Sequence, residues 1–326
     1  MYIKLKVLIA SVLLISLLSG CTDCEAKKTS NPNHIKQLLT TKKCSKCDLG
    51  GADLKNADLA GADLREAELT DAKLDGANLQ GANLRQAEMR WTDKSEDDRG
   101  ESGFSEIGDI DFSCNADYKV SLHKVNLESA NFSDTNLSGL SIHDSNLHAA
   151  NLSSANLKSS FLANVDLAGA NLNNANLSYV TFGDVDLQSA NLQNANLSHV
   201  SFHGVNLHSA NLQNADLTYS ELTFSDLRYI DLSNARLNVA ELHGVDLRDA
   251  NLYNVDLTQS NVDRTDFRHA KNLTTEQIKS AENWEEAVYD KEFRAKLGLP
   301  ACKSKLGEYL GQPFIFSKIK KGCFQY

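Results

Sequence analysis

Seven cysteines, nine histidines and a scatter of carboxylates are the residues of this 326-residue chain whose types could do chemistry. Cys44-Ser45-Lys46-Cys47 is a CxxC, a spacing that elsewhere serves redox exchange or one half of a zinc site. No second CxxC or nearby histidine completes a zinc set, so a local bridge or simple packing is the expectation there. Cys302 and Cys323 share the C-terminal stretch and are a second candidate disulfide pair. Asp93, Ser95 and Asp97 have the alternation of a calcium loop. Positions 6 and 12 of such a loop fall on Asp98 and Phe104, where glycine and glutamate are needed, so the site is rejected. His123, His143, His203 and His243 are congruent at multiples of 20 residues, yet only the first two are 20 apart, which favours ordinary surface histidines over a metal stripe. There is no GxSxG, no phosphate loop and no isolated pair of carboxylates. No catalytic residue, metal or cofactor is implied, and the expectation is that the chain is not an enzyme.

Cys21 has a different chemistry in prospect. Lys4 and Lys6 precede the apolar run 7–18, and Leu18-Ser19-Gly20 supplies small residues before the cysteine, the order of a secretory signal. The run is shorter than the roughly 20 residues a bilayer span needs. Leu-Ser-Gly-Cys also resembles the lipobox of bacterial lipoproteins, which implies cleavage before Cys21 and acylation of that residue. Each buried acyl methylene contributes about 0.8 kcal/mol, so several chains anchor stably. Thr22, in place of aspartate, implies by the same resemblance the outer rather than the inner membrane. The formal charge of -10 falls to -12 once the segment bearing Lys4 and Lys6 is removed. Such an acidic surface resists direct phosphate binding, and nucleic acid is not an expected partner.

The element that must position everything else is a repeat. From Leu49 to Met89 a large apolar residue recurs every five positions, and the pattern resumes at Leu122 and runs in register to Phe267. Five fits neither the 3.6-residue helix nor the 2-residue strand, so each pentad completes a short straight step and a turn, and the chain coils. A weaker period of 20 sets the coil: Val180, Val185, Ala190, Ala195 is followed by Val200, Val205, Ala210, Ala215, Phe182 by Phe202, and Tyr179 by His199 and Tyr219. Four pentads per coil stack like upon like. Ala and Val leave room for layers of Leu, while Asn and Asp tolerate corner geometry. In this frame Cys44 takes a central position and Cys47 a small-residue one.

The repeat ADLKN, ADLAG, ANLQG resembles the pentapeptide-repeat family, A(D/N)LXX. That resemblance implies an all-β solenoid, a right-handed quadrilateral β-helix with short α-helical caps. It implies that the central residue and the small residue two before it point inward and the others outward. Phe161, Arg236 and Leu140 depart from the pattern without disturbing register. At about 4.8 Å per coil, ten coils would make a rod of about 45–50 Å.

The chain therefore divides into a lipoprotein signal peptide at 1–20, a tether at 21–33, an N-terminal cap at 34–46, repeats at 47–91, an acidic insertion at 92–117, repeats at 118–269, and a C-terminal helical cap and tail at 270–326. Ile35, Leu38 and Leu39 give the first cap one apolar helical stripe. Thr274 and Gln277 form a capping box before Ile278, and Trp284, Val288, Phe293 and Leu297 predict a second helix stopped by Gly298 and Pro300. The insertion reads as a solvated loop; the alternative is a partner-contacting excursion.

The expected function is that of a non-catalytic scaffold or protein-interaction surface, lipid-anchored in a bacterial cell envelope and facing periplasm or exterior. Its partners would be the membrane, through the N-terminal lipid, and an envelope or extracellular protein or polysaccharide. The resemblance adds a homodimer through the C-terminal cap if that cap exposes an apolar face. The alternative is a DNA-mimicking inhibitor or protector of DNA gyrase, as some family members are, and it requires that the chain not be exported.

Overall fold

The computed structural model describes residues 30–89 and 121–301. Cys21, the signal segment, the 92–117 insertion, Cys302 and Cys323 lie outside the described residues.

Outside several pentads of one face, which end in an open bend at the same fifth position, the pentads close in one kind of turn. The N–H of the residue after the turn donates to the carbonyl of the central residue, as Ala175 does to Leu172 at 3.0 Å. The fifth residue, Asn174 in that pentad, has φ +58°, the left-handed region that the third residue of a type II turn requires. The corner thus falls at the fifth position and not at the consensus Asn/Asp, which corrects the reading above. The Asn/Asp side chain instead caps the step from within: Asn171 Oδ1 accepts from the N–H of Asn173 at 3.3 Å.

Successive coils pair in parallel at a shift of 20 residues. Leu172 N–H donates to Asn191 O at 2.7 Å and Asn191 N–H to Ala170 O at 2.9 Å. One face is regular enough to form a five-stranded sheet of β1 (Ser121–His123), β2 (Ser141–His143), β3 (Phe161–Ala163), β4 (Thr181–Gly183) and β5 (Ser201–His203), in that order. The other three faces are columns of single bridges, because each straight step is only long enough for one. We call the sheet and its continuation through Glu221, Glu241 and Asn261 the strand face.

The two repeat blocks form one coil. Asn78, Asn83 and Glu88 bridge Asn126, Asn131 and Asn136, a shift of 48, so the 28 residues beyond the usual 20 are bypassed without loss of register. The coil also starts earlier than the 47–91 block: Lys43 already bridges Asp63, and Cys44 sits in the central stack beneath Leu64. Inside, Leu, Phe and Met centres are buried, as are the Ala or Val two before them apart from the half-buried Ala57, and each buried Leu contributes about 1.5–3 kcal/mol. Phe182 stacks on Phe202 at 5.2 Å. At four of the small inward positions taken by serine or threonine, Thr135, Ser145, Ser160 and Thr265, the hydroxyl donates to the central carbonyl of the coil before, as Ser160 does to Leu137 at 2.8 Å. Phe161 stays within β3, Leu140 is buried, and Arg236 bridges Asp216 and Asp256.

Outside, stacked asparagines lock one face. Asn131, Asn151, Asn171 and Asn191 each donate from Nδ2 to the Oδ1 of the asparagine on the coil before, at 3.1–3.4 Å. Each side chain therefore serves its own turn and its neighbour.

Caps close both ends of this stack. Helix α1 (Pro32–Thr41) starts ahead of the 34–46 cap expected, because Asn31 caps it from its side chain and Pro32 needs no N–H partner at the first position. Leu38 seals the first coil. At the far end α2 (Thr275–Lys279) has the capping box between Thr274 and Gln277. The single helix expected from Trp284 to Leu297 is instead a 3-10 turn (Trp284–Glu286), an extended stretch and α3 (Lys291–Lys296). The last coil is the cause: its open backbone groups at Thr265 and Phe267 are paired by Val288, which must be extended to do so. Tyr289 stacks on Phe267 at 5.8 Å, and its hydroxyl donates to Trp284 O at 2.7 Å. No helix among the described residues is long and apolar enough to cross a membrane.

Candidate functional site

The expected site residues fall in different places. Cys44 and Cys47 form a disulfide at the start of the first coil, with both side chains buried. Among the described residues no group of His, Cys, Asp and Glu could hold a metal. His123 pairs with Asp144 at 3.0 Å and His243 with Asp263 at 3.0 Å, so these two histidines are engaged with carboxylates rather than converging. Burial lowers the pKa of His143 despite the nearby Asp144.

The exposed aromatic residues are more informative. Tyr179, His199 and Tyr219 occupy successive left-handed corners along one edge of the strand face, with φ between +57° and +61°. Their rings stack at 4.6 and 5.0 Å, nearly parallel. On the same coil as Tyr219, Phe224 takes the adjacent corner, at the other edge of the strand face, with φ +59°, and is 71% exposed. Tyr229 is at the next corner, half exposed, with its ring edge against His208. Asparagine or glycine would hold these corners at lower cost, since other L residues in the left-handed region cost about 1–2 kcal/mol. Stacking repays part of that for Tyr219. For Phe224 an edge-on contact with His243 at 5.2 Å offsets part of it, while most of the ring stays exposed.

The same pentads break the pattern inside. Ser220 and Ser225 replace the small apolar residue, are buried, and their hydroxyls have no hydrogen-bond partner. Local rules broken together at one place mark a candidate site.

Charge separates this face from its neighbours. Between the aromatic edges the strand face carries Glu221 and Glu241; Ser201 donates to Glu221 at 3.2 Å and Asn261 to Glu241 at 2.8 Å. Its only Lys or Arg from Thr181 to Arg264 is Arg264, 3.9 Å from Asp263. The next face is balanced: Arg228, Arg248 and Arg268 each clasp Asp226, Asp246 and Asp266 at 2.6 Å and reach toward the following aspartate at 3.8 Å where there is one. The Arg228 guanidinium holds the Asp226 carboxyl below the usual range. A shallow open depression floored by Gly204 and Val205 lies between Phe224 and Arg228. It has no enclosed volume in which to hold a substrate away from water. The spacing of 20 puts Tyr179, His199 and Tyr219 in one column in the sequence; Phe224 and Tyr229 lie outside that column, and their signal is an aromatic residue at a fifth position.

A four-faced coil with a period of five defines the class as a β-helical solenoid. Family models describe the same segments: pentapeptide repeats at 47–86 and 218–252, and a pentapeptide repeat region at 118–192 and 157–232. The chain belongs to the pentapeptide-repeat family. Among solved structures it is similar to HetL, a pentapeptide repeat protein involved in heterocyst differentiation regulation in the cyanobacterium Nostoc sp. strain PCC 7120, at 24% identity over 72% of this chain and 97% of that one, with a TM-score of 0.30. It is also similar to QnrB1, a plasmid-mediated fluoroquinolone resistance protein, at 16% identity over 56% and 98%, TM-score 0.31. A third is a pentapeptide repeat protein of the Arabidopsis thaliana thylakoid lumen, at 24% identity over 38% and 72%, TM-score 0.21. No curated protein sequence matches the chain significantly.

Proposed function

We propose that this protein is a non-catalytic rod, lipid-anchored through Cys21 in a bacterial cell envelope, that offers its strand face to a partner. The observation that carries the contact reading is the exposed ring of Phe224 on a left-handed corner beside Glu221 and Glu241. Loops and surfaces on rigid scaffolds serve recognition without chemistry, and the depression between Phe224 and Arg228 is shallow and open. The anchor rests on Leu18-Ser19-Gly20-Cys21.

The competing reading, a DNA-mimicking gyrase inhibitor, needs rows of unpaired negative charge resembling phosphates. Pairing of Asp226, Asp246 and Asp266 with arginines and the neutral asparagine ladder disfavour it on two faces. A homodimer through the C-terminal cap gains no support either, since the large apolar side chains of its described residues are buried or half-buried.

Intact-mass measurement on membrane and soluble fractions of an expressing bacterium, wild type against Cys21→Ala, tests the anchor. A membrane form beginning at Cys21 with added acyl mass, absent from the variant, is the expected result. Unprocessed soluble protein would overturn the anchor and restore the gyrase reading.

A further inference from the structure

We propose that the strand face between Tyr219 and Glu241 is the docking site of the chain's own residues 302–326. This does not depend on the lipid anchor.

Charge complementarity carries the assignment. The protein as a whole is acidic, at -10, whereas residues 302–326 carry Lys303, Lys305, Lys318, Lys320 and Lys321 against the single acid Glu308. They also carry Phe314, Phe316 and Phe324. The face presents the matching features: Glu221 and Glu241 one coil apart, flanked by the exposed rings of Tyr219 and Phe224. Lysine beside carboxylate, and aromatic or ammonium group on an exposed ring, are both favourable. The carboxylate that the asparagine column carries there, Asp231, already accepts from Gln213, Ser233 and Asn251, and the arginine face would repel lysines where it is not already paired.

Reach is sufficient. The cap places Glu282 against Asn261, and Asn261 bridges Glu241, which bridges Glu221. Three coil steps of about 4.8 Å separate the cap from Glu221, about 15 Å in all. Seventeen residues from Ala301 to Lys318 span up to roughly 55 Å when extended. Docking would cover the ring surface that Phe224 still exposes beyond its contact with His243, and the two left-handed corners with it. An external partner for this face would then have to displace the tail.

Zero-length carbodiimide cross-linking of the purified mature full chain, mixed from light and heavy isotope preparations, tests this by peptide mass spectrometry. The expected products join Lys318, Lys320 or Lys321 to Glu221 or Glu241 within one isotope form. In the Tyr219→Asn/Phe224→Asn double variant, which relieves the corners and keeps both glutamates, their yield falls by about tenfold and tryptic cleavage within 318–321 quickens by about tenfold. Links between light and heavy chains would assign the face to a second copy and overturn docking within the chain. Tail lysines linked indifferently to carboxylates of all faces, or yields unchanged in the variant, would overturn it outright.

Discussion

The ring of Phe224 fills the space that a side chain at position 244 would need. A Cβ built on Gly244 would come within 2.6 Å of Phe224 Cε1, and the ring stands edge-on to His243 at 5.2 Å. Gly244 itself has φ +66°. The exposed ring is therefore held in place by a missing side chain on the next coil.

Gly244→Ala combines a left-handed alanine with that collision. It lowers unfolding stability by about 1–3 kcal/mol, measured by urea denaturation. Phe224→Asn has the opposite expectation: it relieves the corner and leaves stability unchanged or higher by up to about 1 kcal/mol, although it removes a large apolar side chain. A clear loss in the second variant would show that Phe224 serves the rod and not a contact.

Buried hydroxyls divide into satisfied and unsatisfied. Ser160→Ala removes a bond to Leu137 O and costs about 1 kcal/mol, whereas Ser220→Ala removes an unpartnered hydroxyl and stabilises by about 1 kcal/mol. Thermal unfolding of the two variants in parallel gives shifts of opposite sign.

The clasp between Arg228 and Asp226 gives a pH dependence. Its hydrogen bonds hold the Asp226 carboxyl below the ordinary range. A depressed carboxylate contributes stability at pH values above its unfolded pKa, near 3.9, and loses that contribution as pH falls through the folded value. Both side chains are part exposed, so solvent screening keeps the effect under about 1 kcal/mol. Arg228→Met is thus slightly less stable than wild type at pH 7, and the two converge once pH has fallen through the depressed pKa of Asp226; a gap that persists after that carboxyl is protonated would assign the effect to packing of the arginine stem.

Much of this rod was legible in the sequence because it is written in periods. A spacing of five sets the step, a spacing of 20 sets the coil, and Leu172 and Ala170 need no further information to be placed inside. Corner conformation was less legible: nothing in Asn171 and Asn174 as residue types says that the first caps and the second turns. Val288 looked helical because Trp284, Val288, Phe293 and Leu297 have helical spacing, yet the unpaired backbone of the last coil outweighs that pattern. The candidate face was hidden for the same reason as the corners. Phe224 reads as another apolar residue until the left-handed fifth position turns it outward and Gly244 gives it room.

Hydroxyl-radical footprinting of the full chain in the cells that express it compares Tyr219 and Phe224 with Tyr253, which lies on another face. Their exposures in the rod are 55%, 71% and 59%. A contact at the strand face, whether with the chain's own tail or with a partner, predicts strong shielding of Tyr219 and Phe224 and free labelling of Tyr253. Labelling of all three in proportion to those exposures would contradict the assignment of this face as the working surface of the protein.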